Sequence, residues 1–110
     1  MSIFITQGRF TPEALRGMLA KPEDRGEAVA KLFAATGGKL LSYFMTFGDY
    51  DFLIIPEGPD EGVATSSIVA EASGGVAELK TTLAISSSEM KNAFAKAGPV
   101  AAKFKSAGAH

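Results

Sequence analysis

Two aromatic-rich apolar runs on either side of Gly48 and Asp49 constrain this chain more than any other feature. Residues 40–47 form the first run and residues 50–55 the second. Glycine at the first central position of a two-residue turn favours type II′, whose twist matches that of the flanking strands. The sequence therefore predicts a β-hairpin. Its expected cross-strand pairs are Phe47 with Tyr50, Met45 with Phe52, Phe44 with Leu53, Tyr43 with Ile54, and Ser42 with Ile55.

The rest of the chain places this hairpin in a β-α-β-β-α-β order that is followed by a terminal helix. Strand patterns cover residues 2–7 and 76–85, and helical spacing predicts helices that begin near Thr11, Pro22 and Asp60. Gly98 and Pro99 are expected to break the last helix, which leaves residues 98–110 as a loosely ordered tail. We therefore expect one domain over residues 1–110, of the ferredoxin-like α+β class. This fold is a four-stranded antiparallel sheet with helices on one face.

The predicted hairpin is apolar on both faces, although helices on one side of a sheet can cover only one of them. The same face of a second copy of the chain is the most economical cover for the other. The sequence therefore predicts a homodimer, or a higher homo-oligomer built from dimers, in which two sheets close on each other with twofold symmetry.

Composition excludes several classes of site. The 110 residues include no cysteine and carry a formal net charge of −1, which gives no electrostatic reason to bind nucleic acid or an acidic membrane surface. No signal peptide or membrane-spanning run is predicted, so we expect a cytoplasmic protein. The one histidine, His110, is the final residue, where it cannot easily supply a buried imidazole. No cofactor or metal is expected.

Tyr43, Tyr50 and Asp51 are the first candidate ligand-binding residues. In a functional interpretation, Asp51 is a general base and a tyrosine donates a proton or a hydrogen bond to a ligand. In a structural interpretation, Asp51 accepts hydrogen bonds from backbone of the turn or of the first strand, and Tyr50 packs at the sheet edge. The sequence favours the structural role for Asp51.

Glu78, Lys80 and Thr82 alternate with apolar residues along the last strand, and they complete the candidate set. They are expected to point to the outer face of the sheet, where they would join the hairpin residues around a pocket between two sheets. The alternative is a solvated strand face or an ion pair at a subunit contact, and this alternative is favoured.

The segment Thr46-Phe47-Gly48-Asp49-Tyr50-Asp51 resembles the signature of the GYD domain family of small bacterial proteins. Three further segments agree in order and spacing. They are Thr11-Pro12-Glu13, Gly37-Gly38-Lys39-Leu40 and Pro59-Asp60-Glu61. The resemblance implies a ferredoxin-like fold of the dimeric α/β-barrel group. It implies no reaction, because the family is one of unknown function.

Two functions from different classes therefore stay open. The first is a homo-oligomeric binding or assembly module with an apolar pocket between sheets. The second is a cofactor-independent enzyme that acts on a small apolar or aromatic metabolite. Without cysteine or an internal histidine, the second function depends on carboxylates, one lysine and two tyrosines for acid–base chemistry, and we favour the first.

Overall fold

The fold combines one antiparallel sheet with three helices on one side of it and a fourth helix that extends away. The computed structural model describes residues 1–108, so His110 lies outside the described residues. The elements in chain order are β1 (Ser2–Phe10), α1 (Pro12–Ala20), α2 (Arg25–Ala35), β2 (Lys39–Met45), β3 (Phe52–Gly58), α3 (Asp60–Ala72), β4 (Val76–Ala84) and α4 (Ser87–Ala101). The strands lie in the order β2-β3-β1-β4, and each neighbouring pair is antiparallel. The predicted α+β class with a four-stranded antiparallel sheet is confirmed.

The hairpin between β2 and β3 forms in the predicted register, but its turn is wider than predicted. Ser42, Tyr43, Phe44 and Met45 pair with Ile55, Ile54, Leu53 and Phe52, respectively. The ladder stops there, so the expected pairing of Phe47 with Tyr50 and the two-residue type II′ turn are wrong. The Thr46 N–H instead donates to the Asp51 carbonyl at 2.8 Å. A four-residue loop, residues 47–50, connects the strands.

Register shows which side of the sheet each residue occupies, because directly paired residues of antiparallel strands share a face. Phe52 and Ile54 pair with Gly8 and Thr6 on β1, and both belong to the buried core together with Phe33 and Val63. The helices therefore cover the face that carries Phe52 and Ile54. We call the opposite face the open sheet face. Its residues are Ile3, Ile5, Gln7, Ser42, Phe44, Leu53, Ile55, Lys80 and Thr82.

Local capping explains where the helices begin. The Thr11 hydroxyl accepts a hydrogen bond from the Ala14 N–H at the start of α1, and the Asp24 carboxylate caps α2 at the Gly26 N–H. At the start of α4, the Ser86 hydroxyl accepts a hydrogen bond from the Glu89 N–H and donates one to the Glu89 carboxylate.

The predicted break at Gly98 and Pro99 is wrong, because α4 continues to Ala101. Pro99 removes one backbone donor, but it lies in the last turn, where the chain closes with a hydrogen bond from the Ala102 N–H to the Gly98 carbonyl. Every residue of α4 is exposed. The radius of gyration is 18.2 Å, against about 13 Å for a compact domain of this length. Helix α4 therefore projects from the body of the protein.

Candidate functional site

The main concave feature is a cavity between the three helices and the sheet. Its volume is about 530 Å³. The sheet side is formed by apolar residues of all four strands, and α1, α2 and α3 form the other walls. Prominent apolar lining residues are Phe10, Val29, Leu32, Phe52, Ile54, Val69 and Leu79. The interior of this fold is therefore partly hollow on the face where a solid core would be expected.

Small side chains on the inward faces of the helices account for the space. Helix α1 contributes Ala14 and Gly17 to the cavity wall, and α3 contributes Ser66, Ser67 and Ala70. Interiors of proteins are normally filled to crystal-like density, and each missing methylene leaves a void unless the backbone moves closer. Helix α1 buries no residue, so its backbone has not moved in to compensate.

The two buried hydroxyls that line the cavity, those of Thr6 and Ser66, are already hydrogen-bonded to neighbouring threonines. The buried Thr6 hydroxyl contacts the Thr81 hydroxyl at 2.9 Å, and the buried Ser66 hydroxyl contacts the Thr36 hydroxyl at 2.8 Å. Each pair leaves oxygen lone pairs that can accept a further hydrogen bond. The inner end of the cavity is therefore mainly apolar, with a few satisfied hydroxyls.

Charged residues collect around the mouth of the cavity. Lys21, Glu23 and Arg25 all line it, and one Arg25 guanidinium nitrogen lies 2.6 Å from a Glu23 carboxylate oxygen. A guanidinium has five N–H donors, so this pair leaves several free for another acceptor. Asp24 also lies close enough for its charge to act on Tyr43, so two cations and two carboxylates leave the mouth with no net charge.

Tyr43 connects the mouth with the apolar wall. Its ring stacks on Phe52 with a centroid separation of 6.4 Å, and its half-buried hydroxyl makes no protein hydrogen bond among residues 1–108. Burial raises the pKa of the Tyr43 phenol, the nearby Arg25 charge lowers it, and Asp24 raises it again. The phenol is therefore a neutral hydrogen-bond donor at physiological pH.

The position of Tyr43 corrects the expected site. The sequence predicts Tyr43 beside a pocket between two sheets, yet its pairing with Ile54 puts it on the helix-covered face. The alternation of apolar residues fixes which side chains share a face, but both faces of this hairpin are apolar, so alternation alone does not tell which face the helices cover.

Asp51 has the structural position that the sequence favours. Its carboxylate accepts a hydrogen bond from the Phe10 N–H at 2.9 Å, and its own N–H donates to the Gly8 carbonyl at 2.8 Å. The Tyr50 carbonyl accepts a hydrogen bond from the Thr46 hydroxyl at 2.7 Å. These bonds fasten the hairpin loop to the end of β1, and Asp51 does not line the cavity.

Tyr50, Glu78 and Lys80 lie together at a second, shallower depression at the edge of the sheet. The Lys80 ammonium is 5.9 Å from the centroid of the Tyr50 ring. Glu78 pairs with Arg9 at 2.7 Å, and both side chains are largely exposed. Lys80 and Thr82 lie opposite Gln7 and Ile5 on the open sheet face, as their alternation predicts. Of the six candidate residues, therefore, only Tyr43 lines the cavity.

Glu78 also has an unusual backbone. Its φ angle is +54°, and it lies where the β1–β4 register shifts between Gln7 and Arg9. This is a β-bulge, and a left-handed residue in a bulge is usually glycine. The bulge directs the Glu78 side chain to Arg9.

Sequence reasoning missed the charged mouth and the cavity itself. The sequence feature that indicates the cavity is the series of small residues at inward positions of α1 and α3, of which Ala14 and Ala70 are examples. Within residues 1–108, no group of three or more histidine, aspartate or glutamate side chains is arranged to hold a metal ion. In the same range, no helix is both long and apolar enough to cross a membrane.

The profile of the GYD domain matches residues 4–94, which is most of the chain. The chain belongs to the GYD domain family. One solved structure with similarity is the crystal structure of TTHA0845 from Thermus thermophilus. It is 17% identical, the alignment covers 79% of this chain and 96% of that one, and the TM-score is 0.41. Among curated proteins, none is similar enough to this chain to count as a relative.

In this GYD domain, the residues of the signature segment have a structural task. Asp51 joins the hairpin to β1 through the Phe10 N–H, and Thr46 closes the loop through the Tyr50 carbonyl. The segment thereby fixes the start of β3, where Phe52 forms part of the cavity wall. The signature positions the cavity without lining it.

Proposed function

We propose that this GYD domain is a homo-oligomeric binding module whose ligand occupies the cavity between the helices and the sheet. The observation that carries this proposal is the apolar cavity of about 530 Å³. Its volume lies within the range of roughly 300–1,000 Å³ that is usual for small-molecule sites. Apolar walls with a few polar groups are also the usual construction of such sites.

The ligand class follows from where the polar groups lie. The walls suit an apolar aromatic or aliphatic body, and the mouth offers Arg25, Lys21 and the Tyr43 hydroxyl. A cation with free N–H donors next to a neutral phenol favours an anionic oxygen head group, such as a carboxylate. We therefore expect a small amphipathic molecule, with its body against Phe52 and its head group at Arg25.

Binding is favoured over catalysis by the arrangement of the acids and bases. Glu23 is paired with Arg25, and Asp51 holds backbone outside the cavity. A general base must be within hydrogen-bond reach of the proton that it removes. The enzymatic alternative gains no observation from these positions.

The oligomer part of the proposal is a dimeric α/β barrel in which a second copy covers the open sheet face. The support is the exposed apolar surface of this face, on which no helix packs within the described residues. Phe44 is 57% exposed there and is paired with Leu53, and Ile3, Ile5 and Ile55 share the same face. Contiguous exposed apolar patches commonly mark interaction surfaces.

Calorimetric titration with 2-naphthoate, an apolar aromatic body with a carboxylate, tests the binding proposal. At about −0.3 kcal/mol per non-hydrogen atom, a probe of this size should bind with a Kd of about one millimolar or tighter. Arg25→Gln should weaken 2-naphthoate roughly tenfold, because a charge-assisted hydrogen bond contributes about 1.5 kcal/mol. It should leave the uncharged 2-naphthalenemethanol nearly unchanged.

Arg16→Gln is the matched control, since Arg16 lies exposed on α1 and does not line the cavity. This variant should bind both probes as the native protein does. Absence of binding by the native protein at millimolar 2-naphthoate would contradict the proposal. Equal losses in the Arg16 and Arg25 variants would contradict the assignment of the head group to Arg25.

A further inference from the structure

Helix α4 carries an apolar stripe that stays exposed within the described residues 1–108. Met90, Phe94, Ala97 and Ala101 recur at the i, i+4, i+7 and i+11 positions that share one side of a helix. Met90 is 44% exposed and Phe94 is 72% exposed. Asn92 and Lys96 lie on the opposite side. A helix with such a stripe is normally stabilised by packing that side on another element.

The C-terminal segment that contains α4 and the body of the protein carry opposite net charges. Residues 87–108 contain four lysines and one glutamate, a formal charge of +3. Residues 1–86 contain seven basic and eleven acidic residues, a formal charge of −4. The C-terminal segment is thus electrostatically complementary to the body of this same protein, and opposite net charges favour their association.

The strand order shows whether α4 can reach strand β2 of its own chain or only that of another copy. Helix α4 follows β4, and β4 and β2 are the two edge strands of the sheet. Three strand spacings, about 14 Å, separate them. The long axis of the molecule is 63 Å, so α4 points away from its own sheet. Strand β2 of the same chain is therefore out of its path.

The exposed edge of β2 offers an apolar surface to α4 of another copy. Leu41, at the register shift of this strand, is 42% exposed, and Met45, at its end on the helix-covered face, is 51% exposed. In a closed two-sheet dimer whose twofold axis runs along the strands, the β4 edge of one protomer lies next to the β2 edge of the other. This brings the start of α4 to the partner's β2. An apolar cover on an edge strand also blocks uncontrolled strand pairing.

We propose that α4 is an arm exchanged between two copies of this chain. Its apolar stripe crosses from the β4 edge of its own protomer and packs on the β2 edge of the other. Each protomer gives one arm and receives one, so the contact is made twice per dimer. The proposal rests on the oligomer part of the proposed function and is independent of the ligand cavity.

Sedimentation of four proteins tests the arm. Native protein is expected to sediment as a dimer at about 10 µM. Phe94→Glu should raise the dimer Kd at least tenfold, because a carboxylate replaces an apolar side chain at the buried contact. Asn92→Glu makes the same change of charge on the opposite side of α4 and should not alter the Kd by more than about twofold. Leu41→Lys should weaken the dimer as Phe94→Glu does.

The double variant Phe94→Glu with Leu41→Lys locates the contact. If the two residues meet, the opposite charges recover a large part of the loss, so the effects are not additive. Additive losses would overturn the assignment to the β2 edge. A native dimer that Phe94→Glu leaves intact would overturn the arm but keep the oligomer. A monomeric native protein would overturn both, and co-sedimentation of that monomer with phosphatidylserine vesicles would make α4 a membrane-surface helix instead. Circular dichroism checks that the variants are folded.

Discussion

Filling the cavity with a larger side chain should stabilise the protein, although most core substitutions destabilise proteins. Ala70 on α3 lines the cavity, and Ala70→Leu adds three carbon atoms to that wall. At about 0.8 kcal/mol per buried methylene, the apolar transfer contributes about 2.4 kcal/mol. Fixing the leucine side chain costs about 0.5–1 kcal/mol. The free energy of unfolding should therefore rise by about 1.5 kcal/mol.

Thermal and urea unfolding measure this change. For a domain of about 100 residues, 1.5 kcal/mol corresponds to a rise in Tm of about 6–12 °C. The same variant should bind 2-naphthoate at least tenfold more weakly, because leucine occupies space that the ligand needs. Ala72→Leu is the control. Ala72 is exposed on the same helix, so its stability and its binding should match the native protein within about 0.5 kcal/mol.

The reasoning would be refuted if Ala70→Leu lowered the Tm. Adding methylenes to a filled core costs about 1–3 kcal/mol through strained rotamers and backbone shifts. A fall in Tm would therefore mean that the space beside Ala70 is occupied by packed side chains in solution. A rise in Tm with unchanged 2-naphthoate affinity would keep the cavity and refute its role as the binding site.

Substitutions at three further residues test their individual roles. Burial raises the pKa of Tyr43, so the unfolded state loses the phenol proton first as pH rises above about 10. The stability of the native protein should therefore fall more steeply between pH 9.5 and 11 than that of Tyr43→Phe. Melting curves recorded at a series of pH values measure this difference. Asp51→Ala leaves the Phe10 N–H without its acceptor and should cost about 1–3 kcal/mol in urea unfolding, with unchanged 2-naphthoate affinity; altered affinity in a folded variant would contradict its structural role. At Glu78, both Gly and Ala remove the exposed ion pair with Arg9, but Gly should be more stable than Ala by about 1 kcal/mol, because φ is +54° there; the opposite order would disprove the strain.

The hairpin and its register could be predicted because they depend on local alternation. Tyr43 opposite Ile54 and Phe44 opposite Leu53 follow from counting residues outward from one turn, and the count is correct although the turn is longer than predicted. Lys80 and Thr82 on the open sheet face follow from the same period of two.

The face that the helices cover could not be predicted in this way. Both Phe52 and Leu53 are apolar, so neither face of β3 is marked as the solvent side. The cavity also depends on the distance between the helices and the sheet. Small residues such as Ala14 and Ala70 permit a cavity at that distance but do not require one. The continuation of α4 through Pro99 depends on how few turns follow the proline, and residue propensity alone favours a break.

Methyl NMR during titration with 2-naphthoate tests the location of the site most directly, because Ile54 and Ile55 are adjacent in sequence and lie on opposite faces of β3. Ile54 lines the cavity, and Ile55 lies on the open sheet face opposite Ser42. We predict saturable shifts of the Ile54 and Leu32 methyl signals, while the Ile55 and Ile5 methyl signals stay within their line widths. Shifts of Ile5 and Ile55 with an unchanged Ile54 would place the ligand on the open sheet face and contradict the helix–sheet cavity as the binding site.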